Sequence, residues 1–269
     1  MKNDALFRKK ILTHYRLHKR DFAWRRTTDP YAITVSEIML QQTQVERVEP
    51  KFIAFLKLFP TWQALDRAPV SKVLKAWQGL GYNRRAMMLK KMAHAVVHEH
   101  GGKLPAAKEE LEKLPGIGPY TSGAVLAFAL NKPSAFLDTN IRRVYLHFFF
   151  PGSRQVSDER IRPVIERTMD RRNPRRFFNA LMDYGTYLAE QGENANRRSK
   201  HYVKQAKFEG SRRKVRGEVL RLLVRKGPMT LRSLEKALPP SPHKLSDVLN
   251  GLVKEGMLVR LNGRIAIAK

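Results

Sequence analysis

The chain has 269 residues, with 52 Lys+Arg against 24 Asp+Glu for a formal net charge of +28, no cysteine, and 42% hydrophobic residues. Without cysteine there is no disulfide framework and no thiolate-held zinc or iron–sulfur centre, and the apolar content suffices for a packed core. No apolar run approaches the roughly 18 residues of a membrane span, MKNDALFRKK at the start has no signal-type apolar stretch, and so large a charge points to a polyanionic partner, nucleic acid ahead of an anionic membrane.

Residues 1–207 read as almost wholly helical. Phe7, Ile11 and Tyr15 recur at the spacing of one helix face. Asp29-Pro30 is a helix start, because Asp accepts from the free first-turn N–H groups and Pro lacks one; the helix runs through Tyr31, Ile33, Ile38 and Leu40. Further helical patterns cover 47–58, 70–77, 84–99, 107–113, 121–130, 140–148, 157–169 and 174–189, and no strand is expected before residue 256. The stretch 194–214 is polar and basic without apolar period, which predicts a linker or an exposed basic helix. A boundary near 208–212 divides 1–207 from a module over 208–269.

In that module Val215, Val219, Leu222 and Leu223 form the stripe of a helix over 212–225. A second helix covers 231–238 behind Thr230, a third 241–255, and two short strands in 257–268 flank Asn262-Gly263, a strong hairpin signal. Three helices and a hairpin make a winged-helix-like α+β unit whose third helix is the candidate recognition helix; a protein-interaction module is the alternative. Half of the excess charge falls late, since 197–269 holds 19 Lys and Arg against 5 Asp and Glu.

The most specific local signal is LPGIGPYTSGAVLAFAL over 114–130. Gly116 and Gly118 permit a tight turn between two helices, and the free N–H groups of the second helix start can hold a phosphate without reading sequence. Asp138 in AFLDTNIRRV would, alone, be an N-cap. Glu37 sits among Ile33, Val35, Ile38, Met39 and Leu40; an apolar setting raises a carboxyl pKa and makes a general acid, whereas a solvent-facing position does not. Trp24, Trp77 and the Phe148–Phe150 run read as core, and the eight His show no metal-ligand spacing, so no metal site is expected.

Taken together, SEIMLQQTQV, GLGYNRRA, LPGIGPYTSGAV and LDTNIRRV, in that order, resemble the helix-hairpin-helix base-excision DNA glycosylases over roughly residues 8–205, and within them the adenine DNA glycosylases related to endonuclease III. The resemblance implies a mainly α, two-lobed glycosylase domain ahead of the winged-helix-like unit. It implies that Asp138 stabilises or attacks the sugar cation as the glycosidic bond breaks, and that Glu37 protonates adenine at N7 and then helps activate water. Tyr120 stands where the bifunctional lyases carry a catalytic Lys, which implies a monofunctional hydrolase. Gln41, Gln42 and Tyr82 match positions that probe the duplex at the lesion, and Arg84, Gly116, Gly118, Asn140, Arg197 and Arg198 join them as candidate DNA contacts. The carbonyls of Leu114 and Ile117 are a candidate monovalent cation site, for Na+ or K+. The implied partner is double-stranded DNA with a mispaired or damaged base, met by a monomer in the cytoplasm at the nucleoid.

Three departures stand out. The four iron–sulfur cysteines of the family correspond to Ala189, Asn196, Ser199 and Gln205, so no cluster is expected. The family's C-terminal β-rich domain, which checks for 8-oxoguanine, is replaced by the basic module. Thr139 follows Asp138 where the adenine branch usually has Gly, a feature that leaves excision of thymine, uracil or another damaged base as the alternative activity, and a non-enzymatic DNA-binding protein as a third.

Overall fold

A computed structural model describes residues 2–203 and 208–268. Fourteen helices of the described residues follow in chain order: α1 (Lys2–His18), α2 (Pro30–Leu40), α3 (Val45–Leu58), α4 (Trp62–Arg67), α5 (Val70–Trp77), α6 (Arg84–Glu99), α7 (Lys108–Lys113), α8 (Pro119–Phe128), α9 (Thr139–Phe149), α10 (Asp158–Thr168), α11 (Pro174–Glu190), α12 (Arg212–Lys226), α13 (Leu231–Ala237) and α14 (Leu245–Lys254). Strands β1 (Met229–Thr230), β2 (Leu258–Leu261) and β3 (Arg264–Ile267) form one antiparallel sheet in the order β1-β3-β2. The fold is mainly α, with a small α+β segment at the end. Among the described residues no helix is long and apolar enough to cross a membrane.

The chain forms two compact units, one from residues 1–37, 105–113 and 117–204, the other from 38–104, 114–116 and 205–269. In the first, the face predicted on α1 is buried: Phe7 and Ile11 meet Ile141 and Tyr145 of α9, Ile161 and Ile165 of α10, and Phe177, Phe178 and Leu181 of α11. Phe7 packs edge-on against Phe148 and Phe149, which ties the Phe148–Phe150 run to the core rim. The tightest approach is between α9 and α11, where a Cβ on Gly185 would lie 2.6 Å from the Asn140 carbonyl oxygen, so only glycine fits. A buried Asp183 on α11 accepts from Arg20 and Arg25, with Arg25 forked across both oxygens at 2.8 Å.

In the second unit Phe52, Phe55, Trp62, Leu65, Val73, Trp77, Leu89 and Met92 are all buried on α3–α6. Helix α4 was not foreseen; its six residues are too few to show a period, and Thr61 starts it by accepting from Ala64 N. In the C-terminal segment Val215, Val219, Leu223, Leu234, Val248, Leu252 and Ile265 are buried together, and α12 also packs against α5.

Two expectations change here. The third C-terminal helix begins at Leu245 rather than 241, because Pro242 holds Ser241 out of the helical region and the Ser241 hydroxyl accepts from His243 N. A strand precedes residue 256: β1, two residues long, pairs Met229 with Ile265 and Thr230 with Arg264. The predicted hairpin closes at Asn262-Gly263 between the Leu261–Arg264 pair.

The stretch 194–214 is also not a linker from its start. Ala195, Asn196 and Ser199 are buried around a short 3-10 turn, Ala195–Arg198. Asn196 donates to Thr139 O at 3.0 Å, and backbone bonds join Val156 to Arg198 and Lys200. Two of the expected cysteine positions, Asn196 and Ser199, are thus held by hydrogen bonds and packing, Ala189 is exposed, and Gln205 lies outside the described residues.

Candidate active site and nucleic-acid interface

Asp29 caps α2 as expected, accepting from Tyr31 N and Ala32 N, and the apolar helix that follows carries Glu37 into the interior at 4% exposure. Its carboxylate accepts from the Tyr120 hydroxyl, Oη to Oε2 2.7 Å, although 83 residues separate the two. Burial drives the Glu37 pKa up from 4.5 to about 7; the bond from Tyr120 pulls it down, the charge of Asp138 pushes it up, and Arg25 opposes. Burial likewise holds the Tyr120 phenol well above its usual value. The Tyr120 ring sits edge-on to buried Phe136, which fixes it.

Asp138 is the N-cap of α9, and its charge also acts on Glu37. Its Oδ1 accepts from Ile141 N at 2.6 Å, while burial raises its pKa against the pull of the Ile141 and Asn140 N–H groups and of Arg142 and Arg143. The structure therefore groups two buried carboxyls, both with raised pKa, and a phenol that donates to one of them.

Two further candidates share an unusual backbone. Gln42 and Tyr82 both have positive φ, +52° and +45°, a conformation that bulky residues adopt only under constraint. The constraint is Arg85, which the sequence reading passed over in favour of Arg84. Arg85 donates through Nη1 to the carbonyls of Ile38, Met39 and Gln41, and through Nη2 to Thr43 Oγ1 and the carbonyls of Leu80 and Gly81. One guanidinium thus satisfies the end of α2 and joins the 41–43 loop to the 80–82 loop. Its partners are mostly carbonyls, which leave no signature in sequence.

Gly116 takes φ +83°, and a Cβ there would come within 2.8 Å of Met88 Cβ, so the hairpin turn needs glycine on both counts. Gly118 precedes Pro119 at the start of α8, whose first turn has no side-chain cap. Asn140 accepts from Arg143, and Arg84 and Arg197 are exposed. Arg198 donates through Nη1 to the carbonyls of Leu146, Phe150 and Pro151 at the end of α9, a structural role that the sequence did not show. The view of the histidines also changes: His94 Nδ1 and His98 Nε2, one turn apart on α6, each lie 3.0 Å from an oxygen of Asp66. Among the described residues these three could hold a metal ion, and hydrogen bonding alone also accounts for the cluster.

The profile of the HhH-GPD superfamily base excision DNA repair proteins matches residues 35–167. The adenine DNA glycosylase of Buchnera aphidicola subsp. Baizongia pistaciae is 35% identical over 188 residues, which is 68% of this chain and 53% of that protein. The thymine/uracil-DNA glycosylase of Methanothermobacter thermautotrophicus is 35% identical over 153 residues, 56% of this chain and 69% of that protein. A solved thermostable thymine-DNA glycosylase superposes with a TM-score of 0.63 at 28% identity, over 70% of this chain and 88% of that one. The fold and the helix-hairpin-helix region define a DNA repair class. The chain belongs to the HhH-GPD superfamily of base excision DNA repair proteins and resembles its adenine DNA glycosylases. It spans about half the length of the Buchnera adenine glycosylase.

Proposed function

We propose that the protein is a monofunctional DNA glycosylase that turns a mispaired adenine, opposite 8-oxoguanine or guanine, out of the duplex and hydrolyses its N-glycosidic bond. The observation that carries this reading is Glu37: a buried carboxyl with a pKa near 7, held by Tyr120 and beside Asp138. In this reading protonated Glu37 gives its proton to adenine N7, the bond to C1′ breaks, and the electron pair leaves on a neutral purine. Asp138 faces the sugar cation as an anion or bonds to C1′; water then adds at C1′, the C1′–Asp138 bond where formed breaking with its electron pair returning to the carboxylate, while the Glu37 carboxylate takes the proton of the water. A pyrimidine leaves as an anion more readily and needs such an acid less. Tyr120 offers no amine, so no Schiff base forms and the strand is not cut.

Gln41, Gln42 and Tyr82 fill the space left by the extruded base, while Gly116, Gly118 and the start of α8 hold the phosphate backbone. Arg84, Asn140 and Arg197 add contacts, the 208–269 module adds basic surface, and carbonyls of Leu114 and Ile117 are hard oxygen donors suited to a monovalent cation. With no cysteine in the chain there is no thiolate to hold an iron–sulfur cluster, and the protein acts as a monomer.

A second reading, excision of thymine or uracil opposite guanine, is favoured by the Methanothermobacter relative and by Thr139 after Asp138. Single-turnover assays on duplexes with A:8-oxoG, A:G, T:G and U:G decide between them. Abasic product is expected from the two adenine duplexes, with no borohydride-trapped adduct. Release of thymine or uracil without adenine would overturn the assignment.

A further inference from the structure

The excision chemistry makes no use of the two histidines on α6. His94 and His98 are four residues apart, so one turn of helix sets both rings on the same face, with their centroids 4.2 Å apart. Asp66, near the end of α4, meets them: His94 Nδ1 donates to Oδ1 and His98 Nε2 to Oδ2, both at 3.0 Å. The ligand atoms of the three residues all lie within 4.8 Å of one another. Burial pushes the Asp66 carboxyl up, but the bonds from His98 and His94 outweigh it and hold the group below its usual value, so it stands ionised. Lys90, one turn before His94, donates from Nζ to the Asp66 carbonyl oxygen at 2.6 Å, which fixes the end of α4 against α6.

We propose that Asp66, His94 and His98 bind a late first-row transition ion of the zinc class and so clip α4 to α6. The donor set selects the ion. Two imidazoles and a carboxylate suit zinc, nickel, cobalt or copper, whereas magnesium and calcium take shells of oxygen. The spacing fits as well. Metal–ligand bonds of about 2.0–2.2 Å put the corners of a tetrahedron about 3.3–3.5 Å apart, so the 3.0 Å separations open by only a few tenths of an ångström. The rings are free to make that shift, since the His94 and His98 side chains are 64% and 54% exposed, while the carboxylate that anchors the ion is only 15% exposed. The ion replaces the hydrogens that Nδ1 of His94 and Nε2 of His98 now present. In a neutral ring that proton moves to the other nitrogen, and water fills the fourth position.

A second pair of histidines has the same spacing and marks what the first one adds. His14 and His18 lie four residues apart on α1 with ring centroids at 4.9 Å, and among the described residues no third ligand completes that pair. The nearby Asp183 carboxylate is taken by Arg20 and Arg25. The carboxylate across from the helix, and not the histidine spacing alone, makes the α6 cluster a site.

The test is titration of zinc chloride into the full chain after EDTA treatment and desalting, without DNA, so its outcome is independent of the base removed. One zinc per chain is expected by calorimetry. The melting temperature is expected to rise by about 5–10 °C at free zinc about 100 times the dissociation constant, since an ion that binds only the folded chain stabilises it. Magnesium at the same concentration is expected to give no rise. His94→Ala and His98→Ala alter exposed side chains, so each is expected to melt within a few degrees of the wild type in EDTA. Each is expected to lose about 100-fold or more in zinc affinity, the upper end of what loss of a merely supporting residue costs. His14→Ala is expected to bind as the wild type does. Failure of the wild type to bind one zinc, unchanged affinity in both α6 variants, or loss of binding in His14→Ala alone overturns the proposal.

Discussion

A carboxyl with a pKa near 7 is present in both forms at neutral pH, and Glu37 is such a group because the protein removes water from it more effectively than Tyr120 restores polarity. Excision that needs the protonated form falls as pH rises through about 7. Glu37→Gln is expected to lower single-turnover excision about 10²–10⁴-fold and to remove that alkaline limb, while duplex affinity stays within a small factor. A rate for the variant that still falls across the same pH range would place the limb on another group. The same shift bears on folding. Since the folded value lies above the unfolded one, Glu37 favours folding fully below about 4.5 and loses that contribution as pH rises through about 7. The ionised form is then disfavoured by about 3 kcal/mol. Glu37→Gln should accordingly melt several degrees above the wild type at pH about 8–9, with the gap closing towards acid pH, as thermal denaturation at several pH values would show. The apolar run around Glu37 offered burial as one of two readings, and the packed chain shows it buried. Its partner was not legible in the sequence, because a hydrogen bond spanning 83 residues depends on how α2 and α8 pack.

At the scale of elements, apolar spacing and caps located most helices to within a residue or two, and Asn262-Gly263 located the hairpin. The failures have local causes: α4 and β1 are too short to carry a period, and Pro242 delays α14. The joining of two loops by Arg85 was invisible because a guanidinium that binds carbonyls needs no particular partner residue. Replacing it tests whether it sets the loops. Arg85→Met leaves several carbonyls without their donor, at a cost of about 3 kcal/mol, or a fall in melting temperature of about 6–12 °C. Arg85→Lys keeps the charge and loses the fork, so it should recover only part of that stability. Calorimetry on the two variants would separate these outcomes, and equal melting of Arg85→Lys and wild type would show that charge alone suffices.

For the molecule as a whole, a net charge of +28 makes ion release a large part of any duplex binding. Affinity for undamaged duplex is expected to fall about 10³-fold or more between about 50 and 200 mM salt, measured by titration at several salt concentrations. A shallow dependence would mean that the basic residues face away from the nucleic acid. Near the end of the first unit, Arg198 also has a structural task, donating through Nη1 to carbonyls at the end of α9. Composition pointed to a polyanionic partner, whereas only the packed chain shows which cations also hold the fold together.

The way Asn196, Arg198 and Ser199 close the first unit has a consequence for where such a protein can work. A segment fastened by amide and guanidinium hydrogen bonds has no thiol to oxidise. Oxidants that turn thiols into sulfenic acids or disulfides find no such group in this closure. The conditions that oxidise guanine in DNA are therefore ones under which this part of the protein keeps its shape.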